Sequence, residues 1–118
     1  MAAIEIYLYS SCTSCRKAEE QLKTAGVDVA RRDYFKERFT RAELVEVLAR
    51  AGVTPHEILS TRSTPYKALE LEGKTLSADE LIDLMIEHPQ LLRRPLVIKG
   101  GASTIGYNAG AIAALIGA

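Results

Sequence analysis

The chain has 118 residues, 47% of them hydrophobic, enough for one buried core but not two, and too apolar for intrinsic disorder. Fifteen basic residues balance fifteen acidic ones, so non-specific or direct binding to nucleic acid is not expected. No apolar run approaches the ~20 residues that span a bilayer. The first residues show no basic segment followed by an apolar stretch and a small-residue cleavage site. The expectation is a cytoplasmic protein whose thiols rest reduced.

Ile4-Glu5-Ile6-Tyr7-Leu8-Tyr9 alternates as a strand and leads into Ser10-Ser11-Cys12-Thr13-Ser14-Cys15-Arg16-Lys17. Ala18, Leu22 and Ala25 continue at helical spacing until Gly26, and Val27 to Tyr34 reads as a second strand. This β-α-β unit implies a parallel pair with a right-handed crossover. Thr40 caps a helix over 41–50, with Glu43 completing a capping box and Leu44, Val47 and Leu48 on its inner face. Gly52 stops that helix. Thr54-Pro55-His56-Glu57 starts another, and Thr64-Pro65 opens a short turn through Leu69. Ser77 caps a helix with Leu81, Leu84 and Met85 inward, ending at His88-Pro89. Leu96-Val97-Ile98 and Ser103-Thr104-Ile105 flank Lys99-Gly100-Gly101 as a hairpin. The apolar tail forms a last helix from about Asn108 to Ala118. The order predicts an α/β thioredoxin-type fold: a core of 1–34 and 91–118, with a helical insert of about 35–90. Arg31-Arg32 and Arg93-Arg94 are local basic pairs of the kind that face solvent. Lys36, Arg38 and Arg41 offer a docking face for a donor protein or, more simply, another solvated face.

Cys12 and Cys15 are the only two cysteines. At a strand-to-helix junction a sulfur meets unpaired N–H groups and the positive end of the helix dipole. Arg16 and Lys17 add positive charge. Cys12 is therefore the predicted nucleophile, ionising below the free-thiol value of about 8.5. Cys15, one turn on, is placed to close a disulfide with it. A structural zinc needs four ligands, and His56 and His88 stand far apart, so no metal site is expected. A structural disulfide across so short a loop would stabilise little.

Four stretches carry a family likeness: Ser11-Cys12-Thr13-Ser14-Cys15-Arg16-Lys17-Ala18, Ile58-Leu59-Ser60-Thr61-Arg62-Ser63, His88-Pro89-Gln90-Leu91-Leu92-Arg93-Arg94-Pro95 and Gly106-Tyr107-Asn108. Together they resemble the arsenate reductase (ArsC)/Spx family of thioredoxin-fold proteins, almost end to end. The resemblance implies that Cys12 attacks arsenate or a similar oxyanion held by Arg62 and Arg94, whose planar guanidinium groups match its oxygens. Arg16 and Arg93 would support that site, and Pro95 would be cis beside the cysteine. The third arginine that such reductases carry in the final hairpin is absent, where the chain reads Ile105-Gly106-Tyr107-Asn108. Their active-site motif has one cysteine, whereas this chain has two.

Both departures resemble the Spx branch, which uses a CxxC switch and binds the C-terminal domain of the RNA polymerase alpha subunit. Gly52 falls where that branch presents a glycine to its partner, although a helix stop also accounts for it. The reading placed first is a thiol reductase of arsenate reductase type, with Cys15 as resolving thiol. No cofactor would be bound, and reducing equivalents would come from thioredoxin, glutaredoxin or a low-molecular-weight thiol. The alternative is an Spx-like redox-sensing regulator. A general glutaredoxin-type reductase comes last, since it leaves Arg62 and Arg94 without a role.

Overall fold

The computed structural model describes residues 4–117; residues 1–3 and 118, assigned above to the thioredoxin-type core, lie outside the described residues. A four-stranded sheet runs in the order β2-β1-β3-β4, from β1 (Ile4–Leu8), β2 (Val29–Asp33), β3 (Leu96–Lys99) and β4 (Ala102–Ile105). β1 and β2 are parallel, in a register that ends at Leu8 opposite Asp33. β1–β3 and β3–β4 are antiparallel. Helices α1 (Thr13–Thr24) and α6 (Ala109–Ile116) flank the hairpin and β-α-β halves, while α2 (Arg41–Ala51), α3 (Pro55–Ile58), α4 (Thr64–Ala68) and α5 (Ala78–Glu87) lie between β2 and β3.

Strand alternation sorts the core onto the sheet's two faces. Ile4, Ile6, Leu8 and Val97 pack with Cys15, Ala18 and Leu22 of α1 and with Ile112 and Ile116 of α6. Tyr7, Leu96 and Ile98 point the other way, into a cluster with Leu44, Val47, Leu48, Ile58, Ile82 and Met85 from the insert. The insert is thus the second layer of one fold rather than an appendage. It is stitched to the segment before β3 by a bridge between Leu59 and Leu92. Ser60 N–H donates to the Leu91 carbonyl at 2.7 Å and Arg93 N–H to the Ile58 carbonyl at 2.8 Å.

Three insert helices start on complete capping boxes, Thr40 with Glu43, Thr54 with Glu57 and Ser77 with Glu80, each satisfying donors that the first turn leaves open. Gly52 ends α2 in the left-handed conformation, with φ +71°. Asn108 caps α6 through its side chain.

Several boundaries differ from expectation. β1 stops at Leu8, and β2 starts at Val29 rather than Val27. Ala25 is the exposed C-cap of α1, and the third inward position is Cys15. In α5 Ile82 is buried, while Leu84 is only partly covered. Lys36, Arg38 and Arg41 are exposed, as a solvated face would be, and two of them also have partners: Arg38 donates to the Ile86 and Glu87 carbonyls at the end of α5, and Arg41 pairs with Asp79 and Asp83 at 2.8 Å each. Arg31 and Arg32 are likewise paired, with Glu19 and Glu43.

Candidate thiol site

Cys12 is the N-cap of α1 in extended conformation, φ −84° and ψ 124°. Its N–H donates to the Tyr9 carbonyl at 2.9 Å, and its own carbonyl accepts from Arg16 N–H at 3.1 Å. The sulfur makes no closed cap hydrogen bond; the first-turn N–H groups act on it as dipoles. Burial disfavours its charged form. The backbone N–H and thiol of Cys15, the Arg94 guanidinium and the Ser14 N–H together outweigh that, and Cys12 is held below the usual thiol range. Cys15 has no exposed surface. Burial, reinforced by the neighbouring Cys12 sulfur, pushes its thiol up to about 12. Both cysteines are free thiols.

Arg94 precedes Pro95 across a cis peptide bond. Its guanidinium lies 5.3 Å from the Phe35 ring centre and 6.0 Å from that of Tyr9, and those two rings stack at 4.0 Å. One terminal nitrogen donates to the Leu92 carbonyl at 3.1 Å, which also accepts from the buried Tyr34 hydroxyl at 3.3 Å. The Arg94 Nε is buried without a hydrogen-bond partner, a donor left open beside the thiols.

The expected residues therefore divide. Arg94 gathers with Cys12 and Cys15, and Pro95 follows it as a buried residue on a cis bond. Arg62 is exposed and lines a separate open cleft of about 380 Å³ with Leu59, Ser60, Thr61 and Arg93. Arg93 also reaches toward Gly106, where an added Cβ would stand 3.6 Å from its guanidinium nitrogen. Arg16 turns back to donate to the Ser10 carbonyl at 3.0 Å, and Lys17 sits 6.0 Å from the Tyr107 ring centre. Neither is among the groups that shift Cys12. Gly52 lies exposed at the end of α2, away from the thiols. Its last turn is held by Arg50, which donates to Glu5 at 2.7 Å and to the Tyr7 hydroxyl at 2.9 Å.

Sequence reasoning missed Asp33, Tyr34 and Phe35, consecutive residues that each touch the site. Their signal was faint: a carboxylate followed by two aromatics at the end of a strand has no diagnostic spacing. Among the described residues no group of three or more His, Cys, Asp or Glu could hold a metal, and no helix is long and apolar enough to cross a membrane.

The parallel β1–β2 pair, the hairpin and the cysteine at the head of α1 define a thioredoxin-like α/β protein with a two-cysteine thiol site. A model of the ArsC family matches residues 7–115, and the chain belongs to that family. It is 40% identical over 107 residues to the regulatory protein MgsR of Bacillus subtilis, covering 91% of this chain and 85% of that one. It is 34% identical over 113 residues to the global transcriptional regulator Spx of Streptococcus pyogenes serotype M1, covering 96% and 84%. A crystal structure described as a possible arsenate reductase from Streptococcus mutans UA159 matches with a TM-score of 0.75 and 30% identity, over 92% of this chain and 93% of that one.

Proposed function

We propose that the chain is a cytoplasmic, redox-responsive regulator of Spx type. Cys12 is the sensing thiolate, Cys15 its resolving thiol, and the C-terminal domain of the RNA polymerase alpha subunit its partner. The observation that carries this reading is the likeness across nearly the whole chain to two regulatory proteins, at 40% and 34% identity. It reverses the order given by the sequence, where the reductase came first. A two-electron oxidant such as hydrogen peroxide takes the Cys12 thiolate to a sulfenic acid and leaves as water. The Cys15 thiol then displaces hydroxide from that sulfur, and the Cys12–Cys15 disulfide forms with release of a second water. Thioredoxin, glutaredoxin or a low-molecular-weight thiol returns the pair to dithiol by exchange.

One feature keeps the reductase as second reading: the partnerless Arg94 Nε beside Cys12 suits an oxyanion such as arsenate. Arg62, in the cleft with Arg93, would have to swing across to share it. The test measures binding of the reduced and oxidised protein to the alpha C-terminal domain, alongside arsenate-dependent oxidation of a thiol donor. Redox-dependent binding without turnover supports the regulator. Turnover that Cys12→Ser abolishes, with no binding in either state, reverses the assignment.

A further inference from the structure

We infer that Asp33 is the positioning residue of this site, fixing the Cys12 sulfur and the Arg94 guanidinium relative to each other; the assignment rests on Cys12 being the reacting thiol. Asp33 is only 5% exposed, the one charged side chain in the core of the described residues. A buried carboxylate without a cation needs hydrogen bonds to its charged form, and this one has them at both oxygens. Oδ1 accepts from the Phe35 N–H at 2.9 Å and the Lys36 N–H at 3.3 Å. Oδ2 accepts from the Ser10 N–H at 3.1 Å and from the Ser10 hydroxyl.

The two pairs of bonds differ in kind. Those to Phe35 and Lys36 close the turn that Asp33 itself begins, as an Asp side chain commonly does. Those to Ser10 cross 23 positions of sequence, and the local turn has no need of them. Asp33 and Leu8 are the last register pair of the parallel strands, so one carboxylate ties together the two loops that leave β1 and β2. The first loop carries Ser10, Tyr9 and Cys12, with the Cys12 N–H bonded to the Tyr9 carbonyl. The second carries Phe35, whose ring bears the Arg94 guanidinium and stacks on Tyr9. Ser10 is held from its other side by Arg16, which bonds its carbonyl.

Asp33 has no hydrogen bond to either reacting group, yet its two oxygens join the loop that carries the sulfur to the loop that bears the guanidinium, alongside the Tyr9–Phe35 stack. Releasing Oδ2 loosens the cysteine loop, and releasing Oδ1 loosens the aromatic shelf. Either change lets the Arg94 charge draw away from Cys12, and the attraction that favours the thiolate weakens with distance.

The test is the pH profile of iodoacetamide alkylation at Cys12, located by mass spectrometry, with thermal unfolding recorded in parallel. Asp33→Ala should slow alkylation at pH 7 by about threefold or more, the loss expected from half a pKa unit or more, and move the midpoint toward that of a free thiol. Asp33→Asn, which keeps an acceptor oxygen, should recover part of the rate. Ser10→Ala removes the hydroxyl bond across the loops and keeps the Ser10 N–H bond, so it should move the midpoint in the same direction by a smaller amount, with a smaller effect on melting. If Asp33→Ala does not fold, Ser10→Ala decides. Lower melting temperatures with an unmoved midpoint would overturn the assignment and leave Asp33 a stabilising residue. A wild-type midpoint no lower than that of a free thiol would instead remove Cys12 as the reacting thiol, and this inference with it.

Discussion

Cys12 and Cys15 stand one helical turn apart and ionise in opposite senses. Cys12, at the mouth of the site, is held below the usual thiol range by first-turn N–H groups and Arg94; Cys15 has no exposed surface and is pushed up to about 12. Alkylation of the native protein should therefore label Cys12 alone, with a rate midpoint below the free-cysteine value of about 8.5. Peptide mapping after partial alkylation checks this. Labelling of Cys15 at a comparable rate would contradict the burial.

The raised thiol also sets a stability trend. A group whose folded pKa lies above its unfolded value contributes stability that is whole below the unfolded pKa and lost as pH rises through the folded one. For Cys15 that window runs from about 8.5 to about 12. Urea midpoints of the wild type should fall across it. Cys15→Ala should flatten the fall, at the cost of lower stability near neutrality from its small cavity.

Arg94→Gln should raise the Cys12 midpoint, because it removes a full charge from the groups that lower it. It also leaves the Leu92 carbonyl with the Tyr34 hydroxyl as its side-chain donor. Arg94→Lys keeps a charge but lacks the planar guanidinium that lies over the Phe35 ring, so it should fall between the two. Alkylation rates at fixed pH report the order; equal rates for all three would remove Arg94 from the site.

Local signals made much of the fold legible before the structure. Capping boxes at Thr40, Thr54 and Ser77 act within four residues, so their sequence pattern and their geometry coincide. Cys12 was legible for the same reason, since a helix N-terminus acts on its own first turn. The family resemblance supplied Arg94 and the cis Pro95, but it also set Arg62 beside them, and side-chain direction from an exposed loop is not encoded by motif order. Asp33 was illegible because its partners lie 23 residues away and nothing in local periodicity marks a buried carboxylate. Leu84 and Ile82 are two positions apart on a short helix, and only the packing of α5 against α2 and α3 decides which is covered.

Asp33 gives acid sensitivity. Burial disfavours its carboxylate, but the Ser10, Phe35 and Lys36 donors outweigh this and hold it below the usual carboxyl range. A depressed carboxyl contributes stability that is present above its unfolded value of about 3.9 and lost as pH falls through the lower folded value. Asp33→Asn should be less stable than wild type at pH 7, and the difference should shrink in acid. Urea midpoints at neutral pH and near pH 3 measure both; a constant difference would mean that the carboxylate charge is immaterial.

Substitutions at Gly52 distinguish a helix stop from the proposed docking surface. Its φ of +71° disfavours any side chain, and a Cβ there would meet the Gly101 carbonyl oxygen at 3.4 Å. Gly52→Ala should therefore cost about 1 kcal/mol of stability, the usual penalty for a non-glycine residue in the left-handed region. Gly52→Gln adds little further strain, because its longer side chain extends into solvent, yet it places bulk on an exposed surface. If this turn meets the polymerase alpha domain, Gly52→Gln should weaken binding by tenfold or more, about 1.4 kcal/mol, while Cys12 alkylation keeps its wild-type pH midpoint. Binding equal to that of Gly52→Ala would leave the glycine as a helix stop alone and move the docking surface elsewhere.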